Sequence, residues 1–144
     1  MFRHIIVPTD GSLVGERAVE QGLELAKISG AKLTILTVLQ PLLIYSVAHE
    51  LVVDMGEQQQ QEADQHKRDD RRLEDMVRAS GVECAHLEAE DIHLSDAVHQ
   101  ASLAQGCDLI VMPAHERYGL LGKSVDSETA KLLAKSQLPV LVLH

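Results

Sequence analysis

A short turn near the N-terminus carries the residues best suited to bind a ligand. Pro8-Thr9-Asp10-Gly11-Ser12 follows a run of β-branched residues and precedes a helical pattern. Asp10 offers a carboxylate, Gly11 permits a close approach or a positive φ, and Ser12 can cap the following helix. From these residues alone two interpretations stay open: a ligand site centred on Asp10, or a turn in which Asp10 and Ser12 only close and cap the backbone.

A second segment contains part of a phosphate-binding pattern. Gly119 and Gly122-Lys123-Ser124 resemble the end of a P-loop, in which glycine N–H groups and a lysine surround phosphates. The full pattern also needs a glycine five residues before Gly122, and that position holds Arg117. We therefore interpret this segment as the turn into the last helix. A P-loop phosphohydrolase is a distant alternative.

Metal-binding and catalytic patterns are weak. Cys84, His86 and Glu88 alternate along one strand, and we interpret them as one core cysteine and two polar residues of an edge strand. His93 and His99 lie six residues apart, a spacing that does not place them on one helical face. The sequence has no HExxH motif and no recognisable pair of catalytic carboxylates. We therefore predict a protein that is not an enzyme and has no metal site.

Alternating strand and helix patterns surround these residues. Compact apolar runs predict strands at residues 4–8, 32–38, 82–88, 108–112 and 139–143. Helical spacing predicts helices at residues 12–29, about 52–79, 94–105 and 126–136. Such alternation gives an α/β fold with a five-stranded parallel sheet and helices on both faces, here as one domain over residues 1–144. Ligands bind beyond the carboxyl ends of the strands in such sheets, near residues 8–12, 38–50 and 112–127.

The composition excludes several kinds of partner. Among 144 residues, 13 are basic and 22 acidic, and the net charge of −9 repels nucleic acids and anionic membranes. Aromatic residues make up 2% of the chain, too few for platforms that stack bases. The two cysteines form no CxxC motif, and no apolar run suits a signal peptide or a membrane span. We expect a cytoplasmic protein with no nucleic-acid or membrane partner.

Two connecting segments stand out by composition. Residues 39–50 are long and apolar for a loop, and we expect them to pack on the core, on a neighbouring subunit or over a ligand as a lid. Residues 56–77 contain four consecutive glutamines and many charges, and we interpret them as a solvated helix without a chemical role.

Motifs along the whole chain resemble those of the universal stress protein family. The run from Val7 to Ser12 resembles the family's opening, and the run from Asp108 to Met112 resembles its fourth strand. Ser127-Glu128-Thr129 followed by Leu132-Leu133 resembles the last helix, and the run from Pro139 to Leu143 resembles the final strand. Each motif is short, but their order and spacing together are specific.

The resemblance implies a fold and a function. The implied fold is Rossmann-like, of the adenine nucleotide alpha hydrolase-like type, with strand order 3-2-1-4-5. The implied protein is a small cytosolic stress-response protein, usually a homodimer built through its last strand. Many members bind ATP through an aspartate after the first strand, the end of the second strand, and a phosphate loop of pattern Gly-x2-Gly-x9-Gly-Ser/Thr. By this resemblance Asp10 and the backbone of Val38 would bind the nucleoside, and Ser127 would lie at the phosphates.

The phosphate loop of this chain departs from the family pattern. Pro113, Glu116 and Asp126 stand where the three glycines fall, and Ser127 alone matches. Proline has no N–H group, and two carboxylates would repel a triphosphate. We therefore expect a regulatory or binding module with little or no ATP binding.

Two potential phosphate donors remain in this loop, His115 and Arg117. Because a nucleoside or a monophosphate needs less of the loop, adenosine or AMP suits the chain better than ATP, and no cofactor is required. The alternative is a stress sensor that binds ATP or AMP at the family's site.

The last apolar run is the expected subunit interface. No helix follows it in this sequence, and an uncovered apolar edge strand tends to pair with its own copy. We predict a homodimer through Val140, Leu141 and Val142, with residues 41–47 as the next candidate surface. The sequence also leaves room for a further protein partner that it does not identify.

Overall fold

A five-stranded parallel sheet forms the centre of the molecule. The computed structural model describes residues 1–39, 55–91, 93–114, 117–119, 122–124 and 127–143. The sheet strands are β1 (His4–Thr9), β2 (Lys32–Leu39), β3 (Cys84–Glu90), β4 (Leu109–Pro113) and β7 (Val140–Leu143). They lie in the order β3-β2-β1-β4-β7, and every pair is parallel. Counted within the sheet this is the order 3-2-1-4-5, so the predicted fold class is confirmed.

Helices cover both faces of the sheet. Those in the described residues are α1 (Leu13–Ser29), α2 (Met55–Ser80), α3 (Leu94–Ala104) and α4 (Ser127–Lys135). On one face Leu23 of α1 and Leu73 of α2 join the apolar side chains of β1 and β2. On the other face Val98 of α3 and Leu132 of α4 close a second buried cluster. The predicted boundaries of the helices and sheet strands agree with the structure to within three residues.

A hairpin that the sequence analysis did not predict lies between β4 and α4. Strands β5 (Arg117–Gly119) and β6 (Gly122–Ser124) pair antiparallel, with Gly119 opposite Gly122. Our interpretation of this segment as the turn into the last helix was therefore wrong, because the two glycines flank a chain reversal and α4 begins only at Ser127. In a P-loop the Gly-Lys-Ser triplet opens a helix. Here it lies in a strand, which removes the structural basis of the P-loop alternative.

Helix α1 lies unusually close to β1. A Cβ on Gly22 would lie 2.6 Å from Cγ2 of Val7, and a Cβ on Gly15 would overlap Oγ1 of Thr9. The two glycines are two helical turns apart, so both face the same strand. The helix ends where predicted, at Gly30, which adopts the left-handed conformation with φ 68°.

Asp108 joins the first residues of β1 and β4 at the amino edge of the sheet. Its carboxylate accepts the backbone N–H groups of Arg3 and His4, each at 2.9 Å. Its own N–H donates to the carbonyl of His4 at 2.9 Å. Burial opposes ionisation, but the two N–H donors outweigh it and lower the pKa of Asp108.

The ring of His4 is buried beside this junction. Only 5% of the residue is exposed, and its Nε2 is 2.7 Å from Oγ1 of Thr34 on the neighbouring strand β2. Burial, and after it the positive charge of Lys32, lower the pKa of His4 below its ordinary value of 6.5. The folded state therefore favours the neutral ring.

Mild acid should destabilise the fold through His4. The unfolded chain binds more protons below about pH 6.5, so the free energy of unfolding should fall as the pH drops past that value. The stabilisation by Asp108 is lost only below its ordinary pKa of 3.8, a separate range. Urea denaturation at about pH 7.5 and about pH 5 measures the loss of unfolding free energy between the two pH values, and this loss should be smaller for His4→Gln than for the wild type. His99→Gln is the control, and an unchanged decrease in His4→Gln would contradict the prediction.

Candidate functional site

The carboxyl ends of β1, β2 and β4 meet at one edge of the sheet. Thr9 lies opposite Thr37 in the last pair between β1 and β2, so Asp10 follows β1 and Val38 is the next residue of β2, where it pairs with Ala89 of β3. The neighbouring strand β4 ends at Pro113. Strand β1 is flanked by β2 on one side and β4 on the other, so the chain order reverses at β1. Because α/β sheets bind ligands at such a reversal, we call the edge formed by Asp10, Val38 and Pro113 the ligand edge.

The turn after β1 is held by its own polar groups. Oδ1 of Asp10 accepts the N–H of Ser12 at 2.9 Å, and Oγ of Ser12 accepts the N–H of Gly15 at 3.2 Å. Gly11 has φ 80° and donates its N–H to Oγ1 of Thr9 at 3.2 Å. Asp10 is nevertheless exposed. Asp10 and Ser12 thus do close and cap the backbone, and the Asp10 carboxylate remains at the surface of the ligand edge.

Val38 contributes its backbone to this edge and its side chain to the core. Successive residues of β2 direct their backbone N–H and C=O groups to opposite neighbours: Lys32 donates towards β1 and Leu33 towards β3. Val38 lies six residues after Lys32, so its N–H and C=O groups also point towards β1. The pairing of β1 stops at Thr9, opposite Thr37. The carbonyl of Val38 therefore lies beyond the last paired residue of β1, next to Asp10, while the residue itself is 6% exposed.

The backbone after β4 is poorly equipped to bind a phosphate. Pro113 has no N–H group. The N–H of Ala114 donates to the carbonyl of Leu143 at 2.8 Å, a bond to the end of β7. The first two positions of the loop therefore present no available N–H. The proline is visible in the sequence, but the bond from Ala114 to Leu143 is not, because it joins residues far apart in the chain.

The remaining predicted phosphate-side residues divide into two groups. Arg117 is the first residue of β5, where it lies opposite Ser124, and Ser127 is the first residue of α4. His115, Glu116 and Asp126 lie outside the described residues, as does most of the apolar segment at 39–50. The phosphate roles predicted for His115, Arg117 and Ser127 stay predictions.

Sequence analysis also missed a polar cluster between α3 and α4. Oε2 of Glu128 accepts the N–H of Ser95 at 2.9 Å, and its Oε1 accepts Nζ of Lys131 at 2.7 Å. Nδ1 of His93 lies 3.9 Å from Oε1. Burial opposes ionisation of Glu128, but Lys131 and the donors of Ser95 outweigh it and lower its pKa to about 2. Glu128 was visible in the sequence as an acidic residue of a first helical turn, whereas its partner 33 residues away was not.

The structure gives His86 and Cys84 of the alternating Cys84, His86 and Glu88 separate contacts. Nε2 of His86 lies 2.7 Å from Oγ1 of Thr37, and Cys84 packs against the core. Within the part of the chain that the structure describes, no three His, Cys, Asp or Glu side chains are grouped to hold a metal ion. Burial raises the pKa of both thiols, that of Cys107 to about 11, so neither is a ready nucleophile.

The fold and its ligand edge define a class of protein. The strand order and its reversal at β1 are those of Rossmann-like folds of the adenine nucleotide alpha hydrolase-like type. The chain belongs to the universal stress protein family, whose model matches residues 1–144. No curated protein matches the chain significantly in sequence. None of the helices in the described residues is long and apolar enough to span a membrane.

Solved structures of universal stress proteins share the fold. One from Lactobacillus plantarum has a TM-score of 0.73 and 23% identity, over 99% of this chain and 97% of that one. One in complex with cAMP has a TM-score of 0.67 and 24% identity, over 99% and 97%. One from Archaeoglobus fulgidus in complex with dAMP has a TM-score of 0.62 and 16% identity, over 99% and 98%. At these identities the likeness establishes the fold.

Gly15→Ala should reduce stability by about 1–3 kcal/mol, because the added Cβ overlaps the Thr9 hydroxyl that holds the N–H of Gly11. Thr9→Ala removes the overlapped oxygen. The double variant should therefore lose less than the sum of the two single losses, as chemical denaturation of the four proteins would measure. Strictly additive losses would show that Gly15 and Thr9 do not constrain each other.

Proposed function

We propose that the protein is a dimeric regulatory module that binds adenosine or an adenine mononucleotide weakly and gains little from a triphosphate. The observation that carries this proposal is the backbone at the end of β4. Pro113 lacks an N–H group, and the N–H of Ala114 is bonded to Leu143. A triphosphate would have to bind without the first two amides of its loop.

The nucleoside end of the crevice retains its recognition groups. The exposed carboxylate of Asp10 can accept hydrogen bonds from ribose hydroxyls, and the backbone of Val38 can pair with the edge of a base. Asp10 directly follows β1, and Val38 lies within β2 and pairs with Ala89 of β3, so both are held by the sheet rather than by a long loop. This rigidity supports binding of a nucleoside without a large ordering cost.

The phosphate end offers less binding energy. Each missing N–H contact to an anion costs about 1–3 kcal/mol. The carboxylates of Glu116 and Asp126, in sequence positions flanking the hairpin, add negative charge to the same loop. These losses together correspond to a change from micromolar to millimolar affinity for ATP.

A nucleotide-binding sensor is the second candidate function. The observation in its favour is that two similar structures hold cAMP and dAMP. Each of these ligands has a single phosphate, so both fit a site whose nucleoside end is stronger than its triphosphate end. In either case we propose binding rather than catalysis, in the cytoplasm and with no required cofactor.

The two edges of the sheet support dimerisation through β7. Its residues Val140, Leu141 and Val142 are apolar, and Leu141 is 41% exposed. The opposite edge strand, β3, carries the exposed acidic residues Glu88 and Glu90. Charges on an edge strand oppose pairing with a second copy, whereas an apolar edge favours it.

Magnesium-ATP should bind with a dissociation constant above roughly 100 µM, within about tenfold of adenosine and AMP. The reason is that the phosphate end supplies little energy beyond the nucleoside end. Titration calorimetry with adenosine, AMP and ATP measures this directly. Low-micromolar ATP with much weaker adenosine would contradict the proposal and favour the sensor with a working phosphate site.

Three variants, measured by the same calorimetry, test the nucleoside end and the phosphate end of the proposed crevice separately. Asp10→Asn should weaken adenosine by about tenfold, which is 1.4 kcal/mol. Asp64→Asn, an exposed acid on α2, is the matched control and should leave adenosine binding unchanged. Glycine at positions 113, 116 and 126 together should raise the affinity for ATP relative to adenosine.

Leu141→Lys should convert the dimer to monomers, because it places a charge on the apolar edge of β7. Ala85→Lys, an exposed position on the β3 edge, is the matched control and should keep the dimer mass. Sedimentation velocity measures both. If the dimer persisted in Leu141→Lys and were lost in Ala85→Lys, the interface would lie on the β3 edge and the proposal for β7 would be wrong.

A further inference from the structure

The N-terminus of α3 lacks a cap from its own residues. His93 occupies the N-cap position with φ −112° and makes no side-chain cap hydrogen bond. The Ser95 N–H in the first turn instead donates to Glu128, which belongs to α4. The anion that the positive end of this helix favours is therefore supplied from another element.

The groups around this carboxylate form a set of anion donors. The Ser95 N–H and Nζ of Lys131 bond to its two oxygens, and the imidazole of His93 lies 3.9 Å from Oε1. The fourth group is the hydroxyl of Ser95, a residue that is 1% exposed. Its Oγ has no partner of hydrogen-bond geometry, yet it lies near enough to Glu128 to help lower the pKa of that carboxyl.

We propose that the N-terminus of α3 is an anion-binding site that Glu128 occupies from within the chain and that a phosphate group takes when Glu128 leaves. A carboxylate and a phosphate need the same surroundings: a helix N-terminus, a hydroxyl and a cation. A phosphate has more acceptor oxygens than a carboxylate, so it can also use the buried Ser95 hydroxyl. Its donors belong to α3 and to the first turn of α4, and they differ from the nucleoside groups proposed at Asp10 and Val38.

Two further carboxylates lie at this helix end, and each has a partner. Asp96, in the same first turn of α3, pairs with Lys135 of α4, and its hydrogen bond to that lysine lowers its pKa. Asp91 accepts the N–H of His93 at 3.0 Å. Lys131 is half-exposed and pairs with Glu128, so it is the cation beside the site that an incoming phosphate would meet.

Displacement of Glu128 at neutral pH depends on competition. The pKa of Glu128 is lowered to about 2, so the carboxylate is ionised at neutral pH. An external phosphate must therefore outcompete a tethered anion of high effective concentration. Exchange of one anion for the other would release the first turn of α4 from α3. Phosphate binding at the N-terminus of α3 would thereby loosen the contact between α3 and the first turn of α4.

The experiment compares wild type, Glu128→Ala and the control Glu74→Ala, which removes an exposed acid from α2. Amide hydrogen exchange at Ser95 is measured in inorganic phosphate and in sodium chloride of equal ionic strength. Without phosphate the Ser95 amide should exchange about tenfold faster or more in Glu128→Ala than in wild type. Phosphate should restore its protection and raise the melting temperature of that variant. In the wild type and in Glu74→Ala the same response should need about tenfold more phosphate or more, because phosphate must there compete with Glu128.

Glu128→Gln serves as a second variant, because it keeps the side-chain size and removes the charge. It should respond to phosphate in the same direction, though less. Absence of phosphate-specific protection at Ser95 in both Glu128 variants would overturn the proposal. An equal response in wild type would also overturn it, because Glu128 would then not occupy the site. Protection of Glu128→Ala by AMP but not by adenosine would support the site with a nucleotide as the phosphate source, and protection by inorganic phosphate alone would support it with free phosphate.

Discussion

The close packing of α1 on β1 is the constraint on which the ligand edge depends. Two glycines, Gly15 and Gly22, let the helix backbone lie against the strand, where side chains would force it away. The first of them sits above Thr9, whose hydroxyl holds the next turn of backbone through Gly11. The position of the helix and the end of the strand are therefore linked by one contact. The bonds from Asp10 to the N–H of Ser12 and from Ser12 to the N–H of Gly15 then orient the carboxylate relative to both.

The parts of the structure that sequence analysis predicted are those specified by local pattern. Apolar runs gave the sheet strands, and Gly30 ended α1 as expected. The glycines at 119 and 122 fitted both a turn and a hairpin, and only the pairing of the strands decides between them. The bonds from Ala114 to Leu143 and from Ser95 to Glu128 join distant segments. No local pattern encodes such bonds, because each partner is chosen by the packing of the whole sheet.

The two ends of the proposed crevice differ because different parts of the fold support them. The proposed nucleoside end lies at β1 and β2 in the middle of the sheet, where every residue of β1 pairs with β2. The phosphate end borders β7, and the N–H of Ala114 there stabilises the sheet instead of facing a ligand. The same donor cannot serve both purposes.

The unequal edges of the sheet also determine how far an assembly can extend. Pairing of two β7 edges about a two-fold axis leaves a β3 strand at each end of the joined sheet. Those outer strands present Glu88 and Glu90, so a third chain would bring like charges into register. In the proposed dimer, growth of the sheet would therefore end at two subunits. The acidic edge would then oppose fibre formation, an effect that needs no ligand and no change in conformation.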